Sequence, residues 1–321
     1  MALTREREIA FGRRHIHELD GIRGLLAFGV VLLHFGINGL IQRLTGWPGM
    51  TLSLAVDVFF LLSGYVLALS YDGDPRRFAI KRIWRLAPVY FLTLTLVILI
   101  GADRQVSAAE LIMAPPLFGL EPANFPAWSI TWEFYLPIAG VLLLRLWQPP
   151  WRVVLVLAMA LHCLAASRVP LGDVLGGVRA AAGLLTGACL TRLRPLPLPT
   201  WPLVGGLLLI MLLAEQWHWF AALVPPLTAI TILAGAAREG LFSARPFQFA
   251  GAISYTAYMV HAPVLFAMGD RAQGSVVWKV AGLAITVVAA WAMTRWVEIP
   301  TLQLCRRLLG KSPDRAAPPV S

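Results

Sequence analysis

An all-α, polytopic integral membrane bundle of about ten transmembrane helices is the fold class this sequence predicts, and three observations carry the prediction. Hydrophobic residues fill 58% and charged residues 14% of the 321 positions, against about 45–50% and 25% in a soluble domain. Apolar stretches recur from Leu19 to Val297 with short polar breaks, so the mean hydropathy of +0.70 does not come from one greasy segment. Basic residues, finally, concentrate on alternate connections. This composition excludes an ordinary soluble enzyme. A net charge of +10 would suggest nucleic acid in a soluble chain, but here it reports topology, and no nucleic-acid partner is expected.

A spanning helix needs about 20 mostly apolar residues. Candidates lie at roughly 19–40, 50–70, 87–101, 129–147, 152–167, 173–190, 201–214, 218–236, 247–268 and 276–297. Those at 87–101, 152–167 and 201–214 are short, so tilt, a kink or a merged pair changes the count by one or two. Residues 1–18 lack the apolar core and cleavage site of a signal peptide, which makes the first span an expected uncleaved anchor. With an even number of spans, 21 of the 27 Lys and Arg fall on the face holding both termini. Both termini are therefore expected to be cytoplasmic. The division is an N-terminal cytoplasmic segment over 1–18, a transmembrane domain over 19–308 and a disordered cytoplasmic tail over 309–321.

Ionisable groups inside spans are costly unless paired or functional, so they carry the information. In the first span Asp20 and Arg23 lie three apart on one helix face. His34 follows Arg23 by eleven residues, about three turns and roughly 16 Å, which puts both on one side with His34 near the middle of the membrane core. Two readings of His34 stay open: a buried neutral histidine bonded to a neighbouring helix, or a general base in a low-dielectric cavity.

The second span holds Asp57, Ser63, Gly64 and Tyr65, and its carboxylate should face a partner. Next, Asp74 is an expected N-cap with Pro75 at the first helical position of a short basic helix carrying Arg76, Arg77, Lys81, Arg82 and Arg85. That cluster suits phosphate groups or, as the blander reading, anionic lipid. Residues 102–128, rich in Pro, predict a re-entrant or interfacial segment covered by protein.

The fourth span opens with Trp128, Ser129, Trp132, Glu133 and Tyr135, an aromatic belt around an acid that needs a partner. RLRPLPLPTWP, from Arg192 to Pro202, is a stiff connection. The ninth span places Ser254, Tyr258 and His261 on one face, His261 reading as a packing or substrate-side group. Beyond the tenth, Arg295 and Glu298 are three apart, a structural pair ahead of a bend at Pro300. Cys163, Cys189 and Cys305 are widely spaced and match neither a disulfide framework nor a metal site.

The ordered series ELDGIRG with R-x10-H, DVFFLLSGY, RRFAIKRIWRLAPVY, WSITWEFY, ISYTAYMVH and VEIP resembles the membrane acyltransferase 3 family over roughly residues 16–308. The resemblance implies a bacterial integral-membrane O-acyltransferase of the inner membrane. It matches Arg23 and His34 to the family's catalytic pair, Arg82 and Arg85 to its second arginine motif, and Glu133 to the acid of its SxxxE-like segment. The expected activity moves an acyl group, acetyl first, from cytoplasmic acyl-CoA to a carbohydrate or glycolipid hydroxyl, without a metal. Catalysis falls to His34, Arg23 and Glu133, and the CoA end to Arg82, Arg85, Lys81, Arg76 and Arg77. Asp20, Asp57, Ser63, Tyr65, Ser129, Trp132 and His261 contact substrate or support the site. Membrane lipids are expected neighbours, and oligomeric state is not legible. A transporter or flippase using the same charges as a proton-coupled path is the alternative class, with a signalling or scaffold protein third.

Overall fold

The computed structural model describes residues 16–168 and 176–310, and expectations for the segments 1–15, 173–175 and 311–321 lie outside them. The chain is a helical bundle, with no strand among the described residues. In order it forms α1 (His17–His34), α2 (Ile37–Thr45), α3 (Ala55–Ser70), α4 (Pro75–Leu99), α5 (Trp128–Leu146), α6 (Trp151–Arg168), α7 (Gly176–Leu190), α8 (Thr200–Ala214), α9 (Val224–Ala237), α10 (Arg245–Met268), α11 (Val276–Met293) and α12 (Ile299–Leu309). Seven helical stretches are long and apolar enough to cross a membrane, α1 and α2 form a further pair bent by 78°, and α7 and α8 are shorter apolar helices. This is a multi-pass membrane protein.

Two boundaries differ from the sequence pattern. The basic segment and the third span are one continuous helix, α4, of 25 residues running through Pro88. A proline costs a membrane helix one backbone bond, and neighbouring helices compensate where its flanks are buried, as Leu86, Val89 and Tyr90 are. At its start the Asp74 carboxylate accepts from the backbone N–H of Arg76 and Arg77, with Pro75 in the first turn, as the pattern predicts. At the other end, the irregularity expected at Pro300 is a π-helical turn over Thr294–Glu298, and Pro300 merely opens α12.

Small residues set the closest helix approaches, the usual means of packing where water supplies no driving force between helices. A Cβ on Gly24 of α1 would lie 2.3 Å from the backbone nitrogen of Gly251 on α10, and a Cβ on Gly251 2.3 Å from the Asp20 carbonyl oxygen. These two helices run parallel in matched register. On α3, a Cβ at Gly64 would meet the Leu184 carbonyl of α7 at 2.1 Å. Where α3 and α7 press together, Asp57 is fully buried and holds Arg179 through both carboxylate oxygens, while His162 of α6 reaches the same carboxylate at 2.9 Å.

Buried carboxylates also pin the chain's irregular parts. Glu18, at the start of α1, accepts from the backbone N–H of Gly240 at 2.7 Å and of Ser243 at 2.9 Å, and from the hydroxyls of Ser243 and Thr200. The segment between α4 and α5 is three short 3₁₀ turns and is only partly covered: Met113, Ala114, Pro115 and Pro116 are buried, whereas Leu111, Ile112, Leu117, Phe118 and Leu120 are exposed, against the expectation of a segment covered by protein. Its Glu110 accepts from the Tyr90 hydroxyl and from the Ala123 N–H, while Asn124 donates to Thr93 and to the Met259 carbonyl.

Candidate active site

A cavity of about 1720 Å³ opens on the face where Ile16 and Gly310 lie and runs inward between α1, α3, α4, α5, α10 and α12. Its walls carry Asp20, Arg23, Ser63, Arg82, Arg85, Ser129, Glu133, Tyr255 and Tyr258, with Lys81, Arg77, Arg306 and Arg307 nearer the rim. Arg23 is ion-paired to Asp20 one turn earlier on α1, which holds its guanidinium on the cavity wall. The spacing of the two residues makes this pair possible.

Arg82 and Arg85, three apart on α4, are braced by different acids. Arg82 donates to the main-chain carbonyl of Glu133 and lies 3.9 Å from its carboxylate, whose other oxygen accepts from Ser63 at 3.0 Å. Arg85 pairs with Glu298 of the π turn and lies over the Tyr255 ring at 5.0 Å. Glu298 is thus engaged from α4, and Arg295 is exposed on the same π turn. At the rim, Asp72 accepts from Lys81 at 2.7 Å and lies 3.3 Å from Arg77. Arg77 in turn donates to the carbonyls of Leu309 and Gly310 at the end of α12. Arg76 is exposed and lines no part of the cavity.

At the inner end lie Ser129 and Tyr258, whose hydroxyls are 3.1 Å apart. His34 does not line this cavity. It ends α1 beyond these residues, half-buried, at the bend into α2. Its ring lies 4.9 Å from that of His261 and 4.9 Å from that of Phe125. Nδ1 is 2.9 Å from the Val30 carbonyl oxygen, which can only accept. In the neutral ring Nδ1 therefore carries the proton and Nε2 keeps the lone pair. One residue on, the Phe35 carbonyl accepts from the buried Lys279 ammonium at 2.7 Å, which fixes the end of the helix.

The structure thus gathers Asp20, Arg23, Ser63, Arg82, Arg85, Ser129 and Glu133 on one cavity and sets His34 with His261 just past its floor. Asp57 and Tyr65 lie outside it in helix packing, and Trp132 fills a space against Gly177 of α7. Lys279, Glu110, Glu18 and the partners of Asp57 went unassigned in the sequence. Lys279 and Glu18 stand near the ends of apolar runs, a position that also suits an ordinary interfacial anchor, whereas Arg179 and His162 lie inside apolar helices and only the fold shows which acid they meet.

A polytopic helical membrane protein, with a basic cavity braced by acids on one side and a histidine pair beyond its floor, is what fold and site define. The chain belongs to the acyltransferase 3 family: the model described as Acyltransferase domain matches residues 16–295. It is also similar to "Protein 2 in picA locus" of Rhizobium radiobacter, 40% identical over 85 residues, which is 24% of this chain and 41% of that protein. The match spans less than half of that relative. No solved structure matches.

Proposed function

We propose that this acyltransferase takes an acyl group, acetyl first, from acyl-CoA held in the basic cavity and delivers it to a carbohydrate hydroxyl reaching His34 from the opposite face. The observation that carries the reading is the placement of three arginines on a single inward-running cavity, with His34 just beyond its inner end. CoA is a polyanion at its nucleotide end and a thin arm at the other. Lys81, Arg306 and Arg307 near the rim suit its phosphates, and the narrowing interior suits the arm. His34, with its Nε2 lone pair, takes the acceptor's hydroxyl proton as that oxygen attacks the thioester carbonyl. The C–S bond breaks, the thiolate leaves, and the proton returns to sulfur. Arg23 orients the donor, and Glu133 holds Arg82 in place. The cavity face is the cytoplasmic face of a bacterial inner membrane, with both termini there. The acceptor belongs to a cell-surface or exported glycan or glycolipid.

The donor assignment is tested with purified protein, acetyl-CoA and CoA. Arg82→Lys keeps the charge beside Glu133 but loses the planar fork. It should weaken CoA binding by roughly 10-fold or more, the size of a lost hydrogen bond to a charged group. Unchanged CoA affinity assigns the arginines to lipid contact, and CoA binding without any acyl transfer points to a transporter. For orientation, Arg76→Cys in a background without Cys163, Cys189 and Cys305 should react with an impermeant thiol reagent in inverted vesicles only. Labelling from outside intact cells reverses the topology.

A further inference from the structure

His261 is fully buried in the middle of α10, yet neither ring nitrogen makes a hydrogen bond of normal geometry. The nearest acceptors are the carbonyls of Ala257 and Tyr258 on its own helix. A buried polar group left in that state calls for a reason, because an apolar ring of similar size would fill the space without the penalty. The surroundings supply one. Phe125 touches both histidines, its ring 4.9 Å from His34 and 5.5 Å from His261, and the two imidazoles lie 4.9 Å apart at an interplanar angle of 31°. The Tyr258 ring, at the inner end of the cavity, is 5.9 Å from His261. His261 therefore stands between the floor and His34.

Backbone geometry places it there. Gly24 and Gly251 are the contact points of α1 and α10, and ten residues onward on each helix come His34 and His261. The parallel register that the glycines set delivers the two rings to the same level. Lys279, on a third helix, holds the Phe35 carbonyl and stops α1 from fraying beside the pair.

From this we infer that His261 is a positioning residue for His34: its neutral ring fixes the orientation of the His34 imidazole and lies against the positive charge that His34 gains during transfer. The inference rests on His34 being the base. In the step itself the acceptor O–H proton goes to His34 Nε2, the oxygen bonds to the acyl carbon, the C–S bond breaks, and the thiolate then takes that proton from His34. His261 exchanges no proton. It contributes an electron-rich face and lone pair beside a transient imidazolium 4.9 Å away. Tyr258 packs on the His261 ring from the cavity side, and Phe125 packs on both rings.

The test is a double-mutant cycle on the purified full chain in detergent, with acetyl-CoA as donor and transfer rate, kcat and donor KM as readouts. His261→Phe keeps the ring and removes its nitrogens. It should lower kcat by about 10–100-fold, the effect usual for partners that orient a working histidine, and leave donor KM unchanged. In a His34→Asn background the same change should alter the residual rate by less than about 2-fold, because there is no longer a base to position. Full kcat in His261→Phe overturns the inference, as does an equal loss in both backgrounds or a raised KM with kcat intact. High activity in His34→Asn alone is a different result, and it removes the base assignment underneath. Gel filtration and thermal melting accompany each variant. His261→Gln is read in the same way if the Phe side chain is not accommodated, and failure of both to fold assigns His261 to packing and ends the proposal.

Discussion

His34→Asn should lower acyl transfer by about 10²–10⁴-fold while the protein still binds CoA, the range a single general base supplies. Asparagine keeps a polar planar group near the Val30 carbonyl, the partner of His34 Nδ1 at 2.9 Å, so the end of α1 keeps its local contact. What it removes is the basic nitrogen on the far side of the ring. His34 lies outside the cavity that would hold the donor, so binding of CoA and loss of transfer should separate cleanly. A steady-state assay alongside equilibrium binding reads both quantities. A folded His34→Asn protein that keeps most of its transferase activity returns His34 to the role of a satisfied interior histidine.

Asp57→Ala should cost about 3–5 kcal/mol of stability, because it breaks a buried charge pair by removing one side of it. Asp57 and His162 are fully inaccessible and Arg179 is 3% exposed, so water cannot replace the lost carboxylate. The size of the effect comes from leaving a buried guanidinium short of one carboxylate more than from the ion pair itself, whose desolvation offsets much of its attraction. Replacing both partners separates these contributions: Asp57→Leu with Arg179→Met should recover most of the loss. Thermal denaturation in detergent measures it. A single Asp57→Ala variant as stable as its parent would show that Arg179 reaches solvent or another acid.

Much of this architecture was legible in the sequence because hydropathy is a property of consecutive residues. The apolar runs, the cap at Asp74 and the Asp20–Arg23 pair all depend on neighbours within a few positions. The expectation that Asp57 faces a partner was equally local, since an acid in hydrocarbon needs one. Its identity was not, because Arg179 and His162 come from helices more than 100 residues away. The cavity arginines illustrate the same divide. Their spacing marks one helix face, whereas their separate acids, Glu133 and Glu298, depend on a π turn and a helix crossing. The continuity of α4 was not legible for another reason: a basic run and an apolar run read as two segments, although they form one helix of 25 residues.

The two glycine contacts make α1 and α10 a pair of rulers with a common zero. One residue inserted between Gly24 and His34 would carry the imidazole about 1.5 Å along the axis and about 100° around it, off Phe125 and away from His261. The same insertion between Gly251 and His261 would turn the other ring away, and an insertion in both would turn both rings together without restoring their facing. Only lengths that differ by whole turns keep the geometry, and those displace the rings from the cavity floor by more than 5 Å. The interval of ten residues is therefore a dimension of the site as fixed as any side chain in it.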